Sequence, residues 1–193
     1  MNRSTSQISY DVPTSRETLL ASLGQVDEQI AALWRSITAD EFFVFPPDGG
    51  WSPAENLAHL AKATGQVTLA LRLPRIVPRL LFGRSRAASR GFSEIRDTYR
   101  KALTAGAQAG KFTPERRPLP ADVASARDKL IGKWQPVVPS LCRTIRRCDD
   151  RALDTYQLPH PIIGKLTFRE MLYFTLYHLG HHASIVAARQ VEH

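Results

Sequence analysis

Residues 166–189, LTFREMLYFTLYHLGHHASIVAAR, constrain the chain more than any other stretch. They carry three of its six histidines, and His178 and His182 stand four residues apart. On a helix that spacing puts two imidazoles on one face, one turn apart. Met171, Phe174 or Thr175, His178, His182 and Ile185 follow one seam at steps of three and four, the seam that a helical bundle buries. Two histidines in a buried seam need partners for their ring nitrogens. They are either a hydrogen-bonded pair or two ligands of a metal ion, and a metal satisfies both at once.

A third ligand would have to come from another helix, and His59 is placed for it. It lies in Trp51-Ser52-Pro53-Ala54-Glu55-Asn56-Leu57-Ala58-His59-Leu60. Ser52 as N-cap, proline at the first helical position and Glu55 three residues after Ser52 make a complete helix start. The apolar stripe of this helix is Leu57, Leu60, Ala61, Thr64, Val67, Thr68 and Leu71. His59 runs beside it with Glu55, Asn56, Ala63 and Gln66, a polar or small line suited to a cleft. Three neutral imidazoles suit zinc, nickel, iron or copper. HLGHH lacks the glutamate of H-E-x-x-H, so no general base comes with the histidines. Glu55 is a neighbour of the site whose capping role already explains it.

The rest of the chain reads as helices. Thr14 with Glu17 predicts a capping box, followed by the stripe Leu19, Leu20, Leu23, Val26, Ile30, Leu33 and Ile37, ending near Asp40. Residues 42–50 read as a loop and residues 93–110 as a weaker helix. Residues 111–120, rich in proline, read as a loop. Residues 121–147 read as a long helix kinked or interrupted at Pro136 and Pro139. Residues 153–165 are a connector containing Pro159-His160-Pro161, in which His160 is structural. Thr167 and Glu170 cap the last helix, with Leu166 and Met171 as its hydrophobic staple. No stretch alternates as a strand does. The expectation is an all-α, up-down-type four-helix bundle with additional short helices, in one domain over residues 1–193. Its core spans 14–189, and the basic segment 72–118 is insertion-like.

Composition narrows the function classes. The start of the chain has no apolar segment of the secretory kind, and no run is apolar enough to span a membrane. Cys142 and Cys148, six apart in a predicted helix, point to different faces, which argues against a disulfide or a shared metal. A reduced, cytoplasmic protein is expected. The net charge is +8. It permits nucleic-acid or anionic-membrane binding, and it also suits small anionic substrates. The excess concentrates in Arg72, Arg75, Arg79, Arg84, Arg86, Arg90, Arg96, Arg100 and Lys101, with Pro74 and Pro78 breaking up the first half. A solvated surface is the ordinary account of such a run. A membrane-surface or nucleic-acid role would need Arg72, Arg75, Arg79, Arg84 and Arg86 on one face. No specific nucleic-acid motif is present.

The segment from Trp51 to Leu60, with Tyr177-His178-Leu179-Gly180-His181-His182 and the lead-in His160-Pro161-Ile162-Ile163-Gly164-Lys165-Leu166-Thr167, resembles the DinB-like family, including its YfiT-type and thiol-transferase branches. The resemblance spans roughly residues 14–189 and is weakest in the basic middle. It implies a four-helix bundle with a divalent ion, zinc or nickel, held by His59, His178 and His182. His181 would be a neighbour of the site; on the residues themselves, Asn56 on the His59 line and Tyr177, able to hydrogen-bond a substrate or to pack in the bundle, are further candidates for its surroundings. The resemblance also implies hydrolysis or transfer of a low-molecular-weight thiol such as bacillithiol or mycothiol, a small-molecule substrate, and a homodimer. The alternative from the residues is a non-catalytic bundle whose metal is structural.

Overall fold

A computed structural model describes residues 8–108, 110, 113, 114, 116 and 119–191 of the chain. The elements are α1 (Arg16–Ser36), α2 (Ala39–Phe42), α3 (Pro53–Arg72), α4 (Ile76–Phe82), α5 (Phe92–Thr104), α6 (Val123–Trp134), α7 (Val137–Arg146), α8 (Asp150–Thr155), β1 (Gln157–His160), β2 (Gly164–Thr167) and α9 (Phe168–Val191). The fold is a four-helix bundle of α1, α3, the α6–α7 pair and α9. Both α7 and α9 pack against both α1 and α3. Leu19, Leu23, Val26, Ile30, Trp34, Leu57, Leu60, Leu141, Ile145, Leu172, Leu176 and Leu179 fill the space between them. In α1 and α3 these residues follow the expected one-sided stripes. α9 is instead buried on nearly all sides as far as Gly180, so Leu172, Leu176 and Leu179 join the expected seam of Met171, Phe174 and His178 in the core, while Ile185 is only partly buried.

Caps set where the helices begin. Ser52 Oγ accepts the Glu55 backbone N–H at 3.2 Å, and Glu55 Oε2 accepts that of Ser52 at 3.0 Å. The same box closes the start of α9. Thr167 Oγ1 accepts the Glu170 N–H at 3.1 Å and Glu170 Oε2 accepts the Thr167 N–H at 2.9 Å. In α1 the box lies one residue later than Thr14 and Glu17. Ser15 is the N-cap and Thr18 answers it, because the Thr18 hydroxyl sits 2.9 Å from the Ser15 N–H. The helix also stops at Ser36, earlier than Asp40. Thr38 caps a separate short helix, so Phe42 belongs to α2 and not to the following loop.

Pro136 divides residues 121–147 as expected: α6 ends at Trp134, and α7 begins at Val137. Pro139 falls in the first turn of α7 and does not interrupt it. Pro78 likewise does not break a helix. It occupies the first turn of α4, where its missing N–H has no partner to lose. The expected loop over 111–120 is described only at 113, 114, 116, 119 and 120, none of which is helix or strand. Its remaining positions lie outside the described residues.

The connector over 153–165 is not plain loop. It holds α8 and an antiparallel hairpin in which Gln157 pairs with Thr167 and His160 with Gly164. With four residues per strand and a proline in β1, there is too little alternation for sequence to reveal it. His160 shapes the turn. Its Nδ1 accepts the backbone N–H groups of Ile162 and Ile163, each at 3.2 Å, and Gly164 supplies the left-handed φ of 78°. Burial drives the His160 pKa down to about 4, so the ring stays neutral and able to accept.

Among the described residues no helix is long and apolar enough to cross a membrane.

Candidate metal centre

α3 and α9 pack side by side and bring His59, His178 and His182 together at one level of the bundle. One ligand nitrogen from each lies within 4.8 Å of the others. The ring centroids are 4.9 Å (His59–His178), 4.8 Å (His59–His182) and 4.6 Å (His178–His182) apart. His59 Nε2 and His178 Nε2 approach to 3.0 Å. Two nitrogens bound at about 2.0–2.1 Å to one tetrahedral ion are held about 3.3 Å apart, so this separation fits shared coordination. The same distance also suits a hydrogen bond when one ring carries the proton.

Burial and mutual repulsion keep the His178 and His182 rings neutral. The His178 pKa lies well below its ordinary value through burial first, then through the nearby His182 and His59. His182 is lowered by burial and by His59 and His181, although part of its surface reaches solvent. Neutral imidazole is the form that binds metal.

Asn56 orients the cluster. Its Nδ2 donates to the carbonyls of Trp51 and Ser52 at 3.1 and 3.0 Å. Its Oδ1 must therefore be the acceptor facing His182 Nδ1, 2.8 Å away. His182 then carries its proton on Nδ1 and presents a bare Nε2. A partner that selects the tautomer of a ligand in this way is the usual outer support of a histidine metal site.

Trp51 does more than lead into α3. Its indole stacks on His182 at 5.5 Å with 15° between planes, and lies 4.8 Å from His59. Arg189 holds that indole in place from the far end of α9. It donates to the Trp51 carbonyl at 3.3 Å and pairs with Asp48 at 2.7 Å. Phe174 stacks under His178 at 5.1 Å. The sequence does not signal that Trp51 stacks on His182 or that Arg189 bonds to Trp51, because both contacts join residues more than a hundred positions apart.

The remaining candidates take different places. His181 meets His182 edge to ring at 5.5 Å and stacks on Tyr177 at 5.6 Å, so both flank the cluster. Gly180, between the histidines, admits the Tyr10 ring. A Cβ there would lie 2.7 Å from Tyr10 Cε1, so the N-terminal segment crosses α9 at this point. Glu55 uses Oε2 for its cap, and Oε1 has no hydrogen-bond partner among the described residues. Among those residues no fourth histidine, cysteine or carboxylate joins the three. His160 belongs to the hairpin turn and not to the centre. Cys142 and Cys148 are free and buried.

The DinB superfamily pattern matches residues 10–186. The chain belongs to this superfamily. The solved structure of YfiT from Bacillus subtilis, described as a probable metal-dependent hydrolase with an unusual four-helix bundle topology, shares the fold. It aligns with a TM-score of 0.58 and 15% identity, over 95% of this chain and 94% of that one. No curated protein matches the chain. The resemblance drawn from the Trp51–Leu60 and Tyr177–His182 motifs is therefore correct at the level of family and fold.

The basic segment of this DinB-superfamily chain is not a uniform solvated face. Arg72 donates to Thr144 and Ser140 hydroxyls at 3.1 and 2.8 Å. Arg75 lies over Phe168 and Tyr156 and donates to the Leu71 carbonyl. Arg84 covers Tyr156, and Arg90 forms an ion pair with Glu170 at 2.9 Å. Burial alone would raise the Glu170 pKa, but hydrogen bonds from the Arg90 side chain and from the Arg90 and Thr167 backbone outweigh it and hold it low. Arg72, Arg75 and Arg84 are thus committed to the bundle rather than assembled into one outward face.

Proposed function

We propose that the chain is a metal-dependent enzyme in which His59, His178 and His182 hold one divalent ion, zinc or nickel, and in which an activated thiol or water attacks a small electrophilic substrate. The observation that carries this reading is the convergence of three imidazoles, with Asn56 holding the His182 Nε2 bare. Membership of the DinB superfamily and the description of YfiT as a probable metal-dependent hydrolase support it.

When bound, such an ion would polarise a substrate oxygen or lower the pKa of a water or thiol. The chain's own groups do the rest. Asn56 fixes a tautomer, and Trp51 and Phe174 wall the histidines with apolar rings. Tyr177 and His181 flank the cluster from α9. With three protein nitrogens and no fourth ligand among the described residues, the donor set is that of an open, catalytic site rather than a closed structural one. That favours the enzyme over a non-catalytic metal-binding bundle.

Elemental analysis of the purified protein beside His178→Ala tests the reading. About one equivalent of divalent metal in the wild type and almost none in the variant is the expected result. Equal content in the two refutes it.

A further inference from the structure

A cavity of about 790 Å³ lies between α3, α6 and the segment after α2, and His59 and Glu55 form part of its wall. Its size suits a small organic ligand. Of the three clustered histidines only His59 lines it, so it adjoins the cluster without coinciding with it.

Two features define what would fill it. The first is unusual apolar exposure. Val44 (58%), Phe45 (39%) and Leu119 (67%) are large hydrophobic side chains left open to solvent, and all three line this cavity. Leu57 and Leu130 add to the apolar wall. The second feature is charge. Lys62 of α3 and Lys129 and Lys133 of α6 line the same space, and no acidic partner pairs with them among the described residues. Lys129 and Lys133 are one helical turn apart and project along one edge. Among the described residues Glu55 is the one acidic residue of the wall, and one of its oxygens is already engaged in the α3 cap. An apolar chamber edged by three ammonium groups focuses a positive potential on whatever enters it.

We propose that this cavity binds an amphipathic anion, with its apolar body against Phe45, Leu57 and Leu130 and its carboxylate or phosphate group met by Lys62, Lys129 and Lys133. Such a ligand would lie against His59, whose ring also faces His178 and His182. Its status as the substrate of the enzyme rests on the metal-centre reading above, whereas its binding does not.

Isothermal titration of the full-length protein separates the two. The probes are decanoate, decyl phosphate, decanol and decyltrimethylammonium, each below its micelle concentration. Decanoate or decyl phosphate, or both, should bind at least tenfold more tightly than decanol, and the two anions compared show which head group is preferred. Decyltrimethylammonium should not bind. The double variant Lys129→Glu/Lys133→Glu, exposed on α6, should weaken the anions at least tenfold with an unchanged circular-dichroism spectrum. Ala126→Trp, which fills the cavity, should abolish binding of every probe. His178→Ala should lose metal and keep decanoate binding, because His178 does not line the cavity. Equal affinity for decanol and the anions, no binding of any anion, or unchanged anion binding in the double lysine variant would overturn the proposal, whatever the metal content.

Discussion

The histidine end of α3 and α9 and the stretch from Leu69 to Arg90 use polar and apolar side chains in opposite ways. At the histidine end the polar groups are inside, and the packing around them is aromatic: Trp51, Phe174 and Tyr99 ring the imidazoles. Along 69–90 the apolar groups are outside. Leu69, Ile76, Leu80 and Leu81 are all more than half exposed, while Arg72, Arg75 and Arg90 reach inward to hydroxyls, carbonyls, rings and a carboxylate. A buried polar group that loses its hydrogen-bond partner costs free energy, so the first region tolerates little substitution. The second hangs on the long stems of a few arginines, and its exposed leucines contribute little to stability.

Substitutions can break this contrast. The largest effect is expected at the cluster. Asn56→Leu removes the acceptor that fixes the His182 tautomer, and metal affinity should fall by about 10–100-fold in competition with a chelator. Unchanged affinity would mean that Asn56 is not part of the centre.

Next is Arg90→Ala, which removes the guanidinium from the mostly buried Glu170 carboxylate and leaves it only backbone N–H donors. It should destabilise the fold by about 2–3 kcal/mol in urea denaturation, and the loss should shrink when Glu170→Gln is added. Additive losses would show that the pair is not coupled.

The hairpin turn gives a pH signature. Buried His160 titrates at about 4 when folded, against about 6.5 in an unfolded chain. Between those values the unfolded chain takes up a proton that the folded one refuses. Stability is therefore full above about pH 6.5 and falls towards pH 4, by roughly 1.4 kcal/mol per unit for this residue. His178 and His182, also held low, add to the fall in metal-free protein. His160→Phe should flatten the profile and cost about 2 kcal/mol at neutral pH, because two turn N–H groups lose their acceptor. An unaltered profile would exclude His160 as a source of the slope.

Gly180→Ala sets a gain in helix propensity of up to about 1 kcal/mol against displacement of Tyr10, and a net loss of about 1 kcal/mol is expected from thermal unfolding. The smallest effect belongs to the second region. Leu80→Gln, at 75% exposure, should change stability by less than about 0.5 kcal/mol. A loss of 2 kcal/mol there would show that the apolar face of α4 is covered in solution and would end the contrast.

Sequence alone determined the bundle helices, the caps at Ser52 and Thr167, the break at Pro136 and the candidacy of His59, His178 and His182. These are local or periodic properties: a cap reads three residues ahead, and a helix face repeats every three or four. Tertiary structure decided the rest. It placed Trp51 on His182, Arg189 on the Trp51 loop, Tyr10 over Gly180 and Arg90 against Glu170. It also turned the His160 connector into a hairpin and opened a lysine-edged cavity beside His59. Each depends on side chains meeting across tens of residues or more, on strands too short to show their alternation, or on a space that exists only once α3 and α6 have packed.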